Sequence, residues 1–196
     1  MNTLRWVAVS LVLAAQAWAL EMERIQVKDN PRTLGVDFSL LRPKAWAERA
    51  RVGPSPSVIV AFWSTPQGVG DNMTLVVPGN QNAKRRAVSK AEYKKAFEHP
   101  QMERAISAAM PFAEVHFVRK QLLENYKYPA GYLDYDAKAT LPGGGLQSVR
   151  VRTYIVYLGS VMLQVQFYLP QAGGEDRLKT FEPEMTKIVE SLEWRK

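Results

Sequence analysis

The residues best suited to chemistry are two aspartates, Asp134 and Asp136, which flank Tyr135. In an extended strand their carboxylates lie on one face, about 7 Å apart along the chain. Such a pair can contribute to a Ca²⁺ site or to acid–base catalysis. A calcium site takes about six to eight oxygen ligands, and no third or fourth ligand is evident nearby. Solvated surface charge is therefore the favoured interpretation, and no metal site is predicted.

The other reactive side chains give no catalytic pattern. His99, beside Pro100, and His116 are the only histidines, too few for a His-rich metal site, and a surface or helix-cap role is favoured. No G-x-S-x-G sequence surrounds any serine, which argues against a Ser/His116/Asp hydrolase. Gly68-Val69-Gly70 lacks the Lys-Ser/Thr ending of a phosphate loop. We therefore predict no catalytic residue, no cofactor and no enzymatic activity.

The remaining pattern is basic and aromatic. Arg150, Arg152 and Tyr154 alternate along one predicted strand, and Met162, Gln164, Gln166 and Tyr168 are assigned to the outward face of its neighbour. Two interpretations stay open: a helix covers these faces and makes them core, or they form an amphipathic surface for a protein partner. With two basic loops added, the candidate interaction surface is Arg49, Arg51, Lys84, Arg85, Arg86, Arg150, Arg152 and Tyr154.

Several β segments position these residues. Residues 25–27 and 36–41 read as short strands, the second stopping before Pro43, after which Trp46 is expected to pack back on the core. Residues 57–65 are β-branched, aromatic and uncharged, which indicates a buried strand, with residues 73–77 as its partner. The basic loop between residues 79 and 87 is interpreted as an exposed tip.

Two helical regions are predicted. Ser89 and Glu92 have the spacing of a capping box, so a helix begins there; Pro100 divides it into two short helices, the second ending at Pro111. A second apolar stripe runs from residue 178 to residue 192, where Pro183 is expected to kink or restart the helix.

Between these helices lies a predicted antiparallel meander. Residues 112–120 and 133–138 read as strands, and residues 142–145 form a Gly-rich hairpin loop. Residues 149–157 return as a long strand. Gly159-Ser160 fits a two-residue turn that requires a positive φ at glycine, and residues 161–169 follow. Val149, Val151, Thr153 and Ile155 of the first strand, and Val161, Leu163, Val165 and Phe167 of the second, are assigned inward.

The N-terminus resembles an export signal. Arg5 supplies positive charge, residues 6–17 form a short apolar run, and Ala17-Trp18-Ala19 is an A-x-A cleavage box. We expect residues 1–19 to be removed near Ala19 and residues 20–196 to form one domain with no transmembrane segment. The chain has no cysteine, which for an exported domain of this size favours the bacterial periplasm over other exported locations.

A formal net charge of +7 is interpreted first as spread surface charge that keeps the protein soluble, and it also favours anionic partners. The expected periplasmic location disfavours nucleic acid as a partner. An acidic protein, an anionic lipid and an anionic glycan are the remaining classes.

The element order predicts an α/β (α+β) domain in which helices pack on a mainly antiparallel sheet. Residues 38–46, with their Pro-x-x-Trp corner, residues 72–77, the meander and the final helix ending at Leu192 resemble the PsbP-type superfamily. That group includes photosystem P subunits, Ran-binding import relatives and bacterial envelope or secretion-accessory proteins. The resemblance implies an α/β/α sandwich and a binding or accessory role.

The favoured function is thus a non-catalytic periplasmic protein acting through protein contacts, as an envelope or secretion-system accessory factor or an immunity-type inhibitor. The alternative is binding of anionic lipid or glycan through Arg49, Arg51, Lys84, Arg85 and Arg86. A hydrolase or metal-dependent enzyme is more distant. A charged cluster in a deep pocket favours an enzyme, and a flat aromatic patch favours a protein binder.

Overall fold

The fold is described from a computed structural model of the chain. It describes residues 20–49, 57–65, 70–78, 86–110, 112–140, 144–171 and 177–195. The predicted signal segment and the loop residues Arg51, Lys84 and Arg85 lie outside these ranges. Within the described ranges, no helix has both the length and the apolar character needed to cross a bilayer.

The described residues form ten strands and three α-helices. In chain order these are β1 (Met22–Val27), β2 (Asp37–Pro43), β3 (Ala47–Arg49), β4 (Val58–Trp63), β5 (Asn72–Val76), α1 (Lys90–Glu98), α2 (Pro100–Ala108), β6 (Ala113–Leu122), β7 (Ala130–Thr140), β8 (Leu146–Leu158), β9 (Val161–Pro170), α3 (Arg177–Glu190) and β10 (Glu193–Arg195). A short 3-10 turn, Pro31–Thr33, joins β1 to β2.

A seven-stranded antiparallel sheet forms the centre of the molecule, in the order β3-β4-β5-β9-β8-β7-β6. Strands β7, β8 and β9, of 11, 13 and 10 residues, form a meander joined by short connections. Gly159 has a φ of +65°, as the predicted two-residue turn requires. The predicted fold class, a mainly antiparallel sheet with helices packed on it, is confirmed.

The inward assignment of the two hairpin strands was wrong. The turn pairs Leu158 with Val161, so Tyr154 lies opposite Val165 and Arg152 lies opposite Phe167. Directly paired residues of an antiparallel sheet share a face. Arg152 and Tyr154 therefore lie with the apolar residues of β9, and the apolar residues Val149 and Val151 point to the other side.

Both faces of the sheet are consequently covered. The α3 face, which includes Tyr154, Val156 and Leu158 of β8, packs against α3 and the small sheet β1-β2-β10. The α1 face, which includes Val151 and Ile155, packs against α1 and α2. A sheet with two apolar faces needs a layer on each side, which explains the α/β/α arrangement.

Two predicted local features are confirmed. Ser89 and Glu92 form a reciprocal capping box at the start of α1. The indole of Trp46 is 4% exposed and stacks on Phe181 of α3, with ring centroids 5.5 Å apart. The Pro43 corner thus ties the small sheet to α3.

Other elements differ from expectation. Pro183 does not restart a helix, since α3 runs through it as one element. The three-residue strands β3 and β10 were not predicted. Strand β10 forms because residues after α3 pair with β2, with Trp194 opposite Phe38. Such short strands carry too few residues for a periodic signal.

Candidate functional site

The two aspartates of β7 face two arginines of β8. Asp134 pairs in register with Arg152, and Asp136 pairs with Arg150. Arg152 Nε donates to Asp134 Oδ1 at 2.7 Å and its Nη2 donates to Oδ2 at 2.9 Å; Arg119 Nε of β6 also donates to Oδ2, at 2.7 Å. Asp134 and Arg152 are both fully buried. Solvated charge was thus the wrong interpretation for Asp134, because cross-strand arginines neutralise it inside the fold.

Arg152 joins the sheet to α3. Its Nη1 donates to Glu182 Oε1 at 2.6 Å, and its guanidinium lies 4.1 Å from the centroid of the Tyr132 ring. Burial disfavours the charge of Arg152, but the hydrogen bonds to Asp134 and Glu182 outweigh burial and raise its pKa. Burial also raises the pKa of Tyr154, against the opposing effect of Arg152. This group is a paired network in which all three arginine nitrogens bind carboxylate.

The two aspartates of the network accept hydrogen bonds from arginine. Both oxygens of Asp134 accept from guanidinium groups, and Asp136 accepts from Arg150 at 2.6 and 3.3 Å. The oxygens of the buried Asp134 are therefore occupied by guanidinium donors, whereas the half-exposed Asp136 remains open to water. Among the described residues, no group of three His, Asp or Glu side chains is arranged to hold a metal ion.

The histidines are also separate from the network's chemistry. His99 caps α2, its Nδ1 accepting from the backbone N–H of Gln101 at 3.2 Å, which is the predicted helix-cap role. His116 lies exposed on β6, opposite Asp136 in the sheet register. No serine of the described residues donates to either ring.

A groove of about 570 Å³ opens beside the network, between α3 and the segment that follows β6. Tyr132 and Tyr154 line it from the sheet, and Tyr126 closes one side by donating from its hydroxyl to the carbonyl of Val189 at 2.5 Å. Burial raises the pKa of Tyr126. The groove also has acidic residues in its lining, which are Glu124, Glu182 and Glu190. Because the rings of Tyr132 and Tyr154 are almost wholly covered, the groove offers no flat aromatic surface.

Those members of the candidate interaction surface that the structure describes do not form one patch. The backbone of Arg49 lies in β3, at the opposite edge of the sheet from β6. Arg86 is exposed and forms an ion pair with Glu92 of the capping box. Arg150 is partly buried against Asp136. Arg152 and Tyr154 are corrections to the predicted surface, since α3 and its neighbours cover that face and leave them 0% and 3% exposed.

An exposed apolar pair on β6 was missed by the sequence reasoning. Phe117 and Val118 are adjacent and 40% and 42% exposed, and the neighbouring Arg119 side chain is 51% exposed. We call His116, Phe117, Val118 and Arg119 the β6 edge surface. No sequence signal marks it, because the alternation in β6 does not say that the strand is outermost in the sheet.

The comparisons with known proteins concern the fold. No family model matches the chain, and no curated protein sequence matches it. Solved structures similar to it include cyanobacterial PsbP from Synechocystis, at 16% identity over 94% of this chain and 99% of that one, with a TM-score of 0.47. The Ran-binding protein Mog1p of Saccharomyces cerevisiae is 8% identical over 88% of this chain and 96% of that one, with a TM-score of 0.49. LpqN of Mycobacterium tuberculosis, a protein involved in cell envelope biogenesis, is 13% identical over 89% of this chain and 92% of that one, with a TM-score of 0.45.

The described elements define the class as an α+β sandwich, in which helices pack on a mainly antiparallel sheet. The similar solved structures extend over most of both chains. At identities this low, a likeness indicates fold and not activity.

Proposed function

We propose that this chain is an exported, non-catalytic protein of the bacterial periplasm that binds another protein through the β6 edge surface. The observation that carries the proposal is the exposed pair Phe117 and Val118 on the outermost strand of the sheet. Adjacent apolar side chains on a strand edge favour protein contact, because their burial releases water. The export signal pattern at residues 1–19 and the absence of cysteine support the compartment.

The charge next to this pair indicates the kind of partner. Arg119 is half exposed, and its terminal nitrogens donate to no described residue. A carboxylate can occupy both nitrogens at once, which gives a bidentate and well-oriented contact. A partner with an acidic contact surface therefore fits the β6 edge surface better than a basic one.

The binding site is tested by photo-crosslinking in the cells of origin. A benzoylphenylalanine at position 117 or 118 is expected to give an adduct with one envelope protein. The same probe at Leu34 is the matched control and should give no adduct. Leu34 is 37% exposed and lies in the turn between β1 and β2. Equal adducts from all three positions, or none from 117 and 118, would contradict binding at β6.

The compartment is tested separately by fractionation and intact-mass analysis. We expect a chain that starts at Leu20 in the periplasmic fraction, since the A-x-A box ends at Ala19. A chain that begins at Met1 and stays in the cytosol would remove the proposal of export, whatever the crosslinking shows.

The lipid or glycan alternative rests on the basic loop that contains Lys84, Arg85 and Arg86. Replacing all three with serine should leave binding to the crosslinked partner close to the native level. If the native chain instead binds anionic vesicles tightly, and this variant does not, the lipid alternative takes first place.

A further inference from the structure

We propose that the partner contributes an extended, acidic segment that adds to β6 as a further strand of the large sheet. This inference rests on the proposed function and names the partner's chemistry at the same site. Strand β6 pairs with β7 on one side, and no strand of the described residues pairs with its other side. An edge strand directs alternate N–H and C=O groups outward, where an incoming strand can bind them.

The register of β6 indicates where the added strand binds. Pairing with β7 is interrupted between Ala113 and His116 and again between Phe117 and Arg119, and Glu114 has a φ of +50°. From Arg119 to Leu122 the pairing is regular. Bulges twist an edge away from an approaching strand, so the first half of β6 is a poor template. The regular stretch from Arg119 to Leu122, which begins directly after the exposed pair, is the template that remains.

The side chains along that half select an acidic segment. An added strand places alternate side chains beside the two faces of the sheet. On the α3 face they meet Arg119, whose Nε is bound to the buried Asp134 and whose terminal nitrogens are left for a carboxylate. Asp134 therefore orients the Arg119 guanidinium before a partner arrives. On the α1 face they meet Phe117, which packs edge to face on Tyr135 and is fixed by it.

A second copy of this chain is the less suitable occupant. Arg119 is the exposed cation of the regular stretch, since Lys120 is paired with Glu103 of α2 at 2.7 Å. Two such edges placed together would bring two Arg119 guanidinium groups towards each other, and like charge on an edge is a common defence against edge-to-edge pairing. The same charge attracts a strand that carries glutamate or aspartate.

The test uses three acetylated nine-residue peptides that alternate valine and glutamate. One is unmodified, one is N-methylated at its odd-numbered amides and one at its even-numbered amides. In strand addition only one of these two sets of amides faces β6. One methylated peptide should therefore bind at least about 10-fold more weakly than the unmodified peptide, and the other should stay within about 3-fold. A valine–lysine peptide of the same length is the charge control and should not bind.

Protein variants locate the site. Arg119→Gln should weaken binding of the unmodified acidic peptide about 10-fold or more. Arg150→Gln, a change to a partly buried arginine on β8, should leave it unchanged. Thermal unfolding of each variant confirms that it is folded, because Asp134 keeps its two hydrogen bonds from Arg152 when Arg119 is replaced.

Each contrary result has a distinct meaning. No binding of the acidic peptide, or equal binding of both methylated peptides, overturns strand addition while crosslinking at positions 117 and 118 leaves the proposed function standing. Binding of the valine–lysine peptide overturns the acidic partner. A native dimer that Phe117→Ser converts to a monomer in sedimentation assigns the edge to a second copy instead.

Discussion

At the scale of single residues, Arg152 is among the largest fully buried side chains of the described residues. It is fully buried, yet its charge is matched by Asp134 and Glu182 and its guanidinium lies over the Tyr132 ring. Without Arg152, the buried Asp134 would keep only the hydrogen bond from Arg119, and the loss of one member of a buried network costs far more than the loss of a surface pair. Arg152 thus connects β7 and α3 through ion pairs, whereas the ion pair given for Arg150 is with Asp136 of β7.

The contrast between the two arginines gives a stability prediction. Arg152→Met should lower the free energy of unfolding by about 3–5 kcal/mol. Arg150→Met should change it by no more than about 1 kcal/mol, because Asp136 is half exposed and can be hydrated. Urea unfolding of both variants measures the difference. Equal losses would show that the network does not stabilise the fold.

This network could have been predicted in part. The pattern Asp134-Tyr135-Asp136 and the pattern Arg150-Val151-Arg152 belong to strands joined by a short hairpin, and opposite charges favour facing positions. Glu182 could not have been added, since its contact depends on how α3 crosses the sheet. Sequence alternation defines the faces of one strand, but not which helix covers them.

At the scale of elements, helix α1 packs close to the sheet because residue 131 of β7 is a glycine and has no side chain. A Cβ at Gly131 of β7 would lie 2.7 Å from Phe97 Cζ and 2.9 Å from the carbonyl oxygen of Gln121. Both distances are shorter than side-chain packing allows. Glycine therefore permits the close approach of Phe97 to the sheet, and no glycine-turn signal in the sequence indicates this role.

A double-mutant cycle tests that approach. Gly131→Ala should destabilise the fold by about 1–3 kcal/mol through overpacking. In a Phe97→Leu background the same change should cost less, because the nearest ring atom is gone, although the Gln121 carbonyl still restricts the site. Unfolding of the four proteins gives the coupling. Additive losses would mean that the helix moves aside and does not depend on Gly131.

The sequence was informative for elements with long periodic patterns and uninformative for their neighbours in space. The capping box at Ser89 and the turn at Gly159 are local, and both were predicted. The outermost position of β6 and the pairing of β10 with β2 are set by contacts distant in sequence. The β6 edge surface depends on that order, so the sequence alone points to the basic loops instead.

At the scale of the whole molecule, buried tyrosine side chains make the stability of the fold depend on pH. Burial raises the pKa of Tyr93, Tyr126, Tyr135 and Tyr168, and nearby Tyr157, Tyr128 and Glu103 add to it for the first three. These tyrosines lie on both faces of the sheet. The neutral phenol is thus the form compatible with the packed molecule, and its ionisation requires that packing to open.

Alkaline unfolding should follow from these four tyrosines. An unfolded tyrosine ionises near pH 10, and the folded phenols hold their protons to higher pH. Above pH 10 the unfolded chain therefore binds fewer protons at these tyrosines than the folded chain, so their contribution to the free energy of unfolding is constant below about pH 9 and falls as pH rises further. Absorbance at about 295 nm, which reports tyrosinate, should show some of the eight tyrosines ionising only together with the loss of circular dichroism. Reversible ionisation of all eight near pH 10, with the circular dichroism unchanged, would contradict the burial of these side chains.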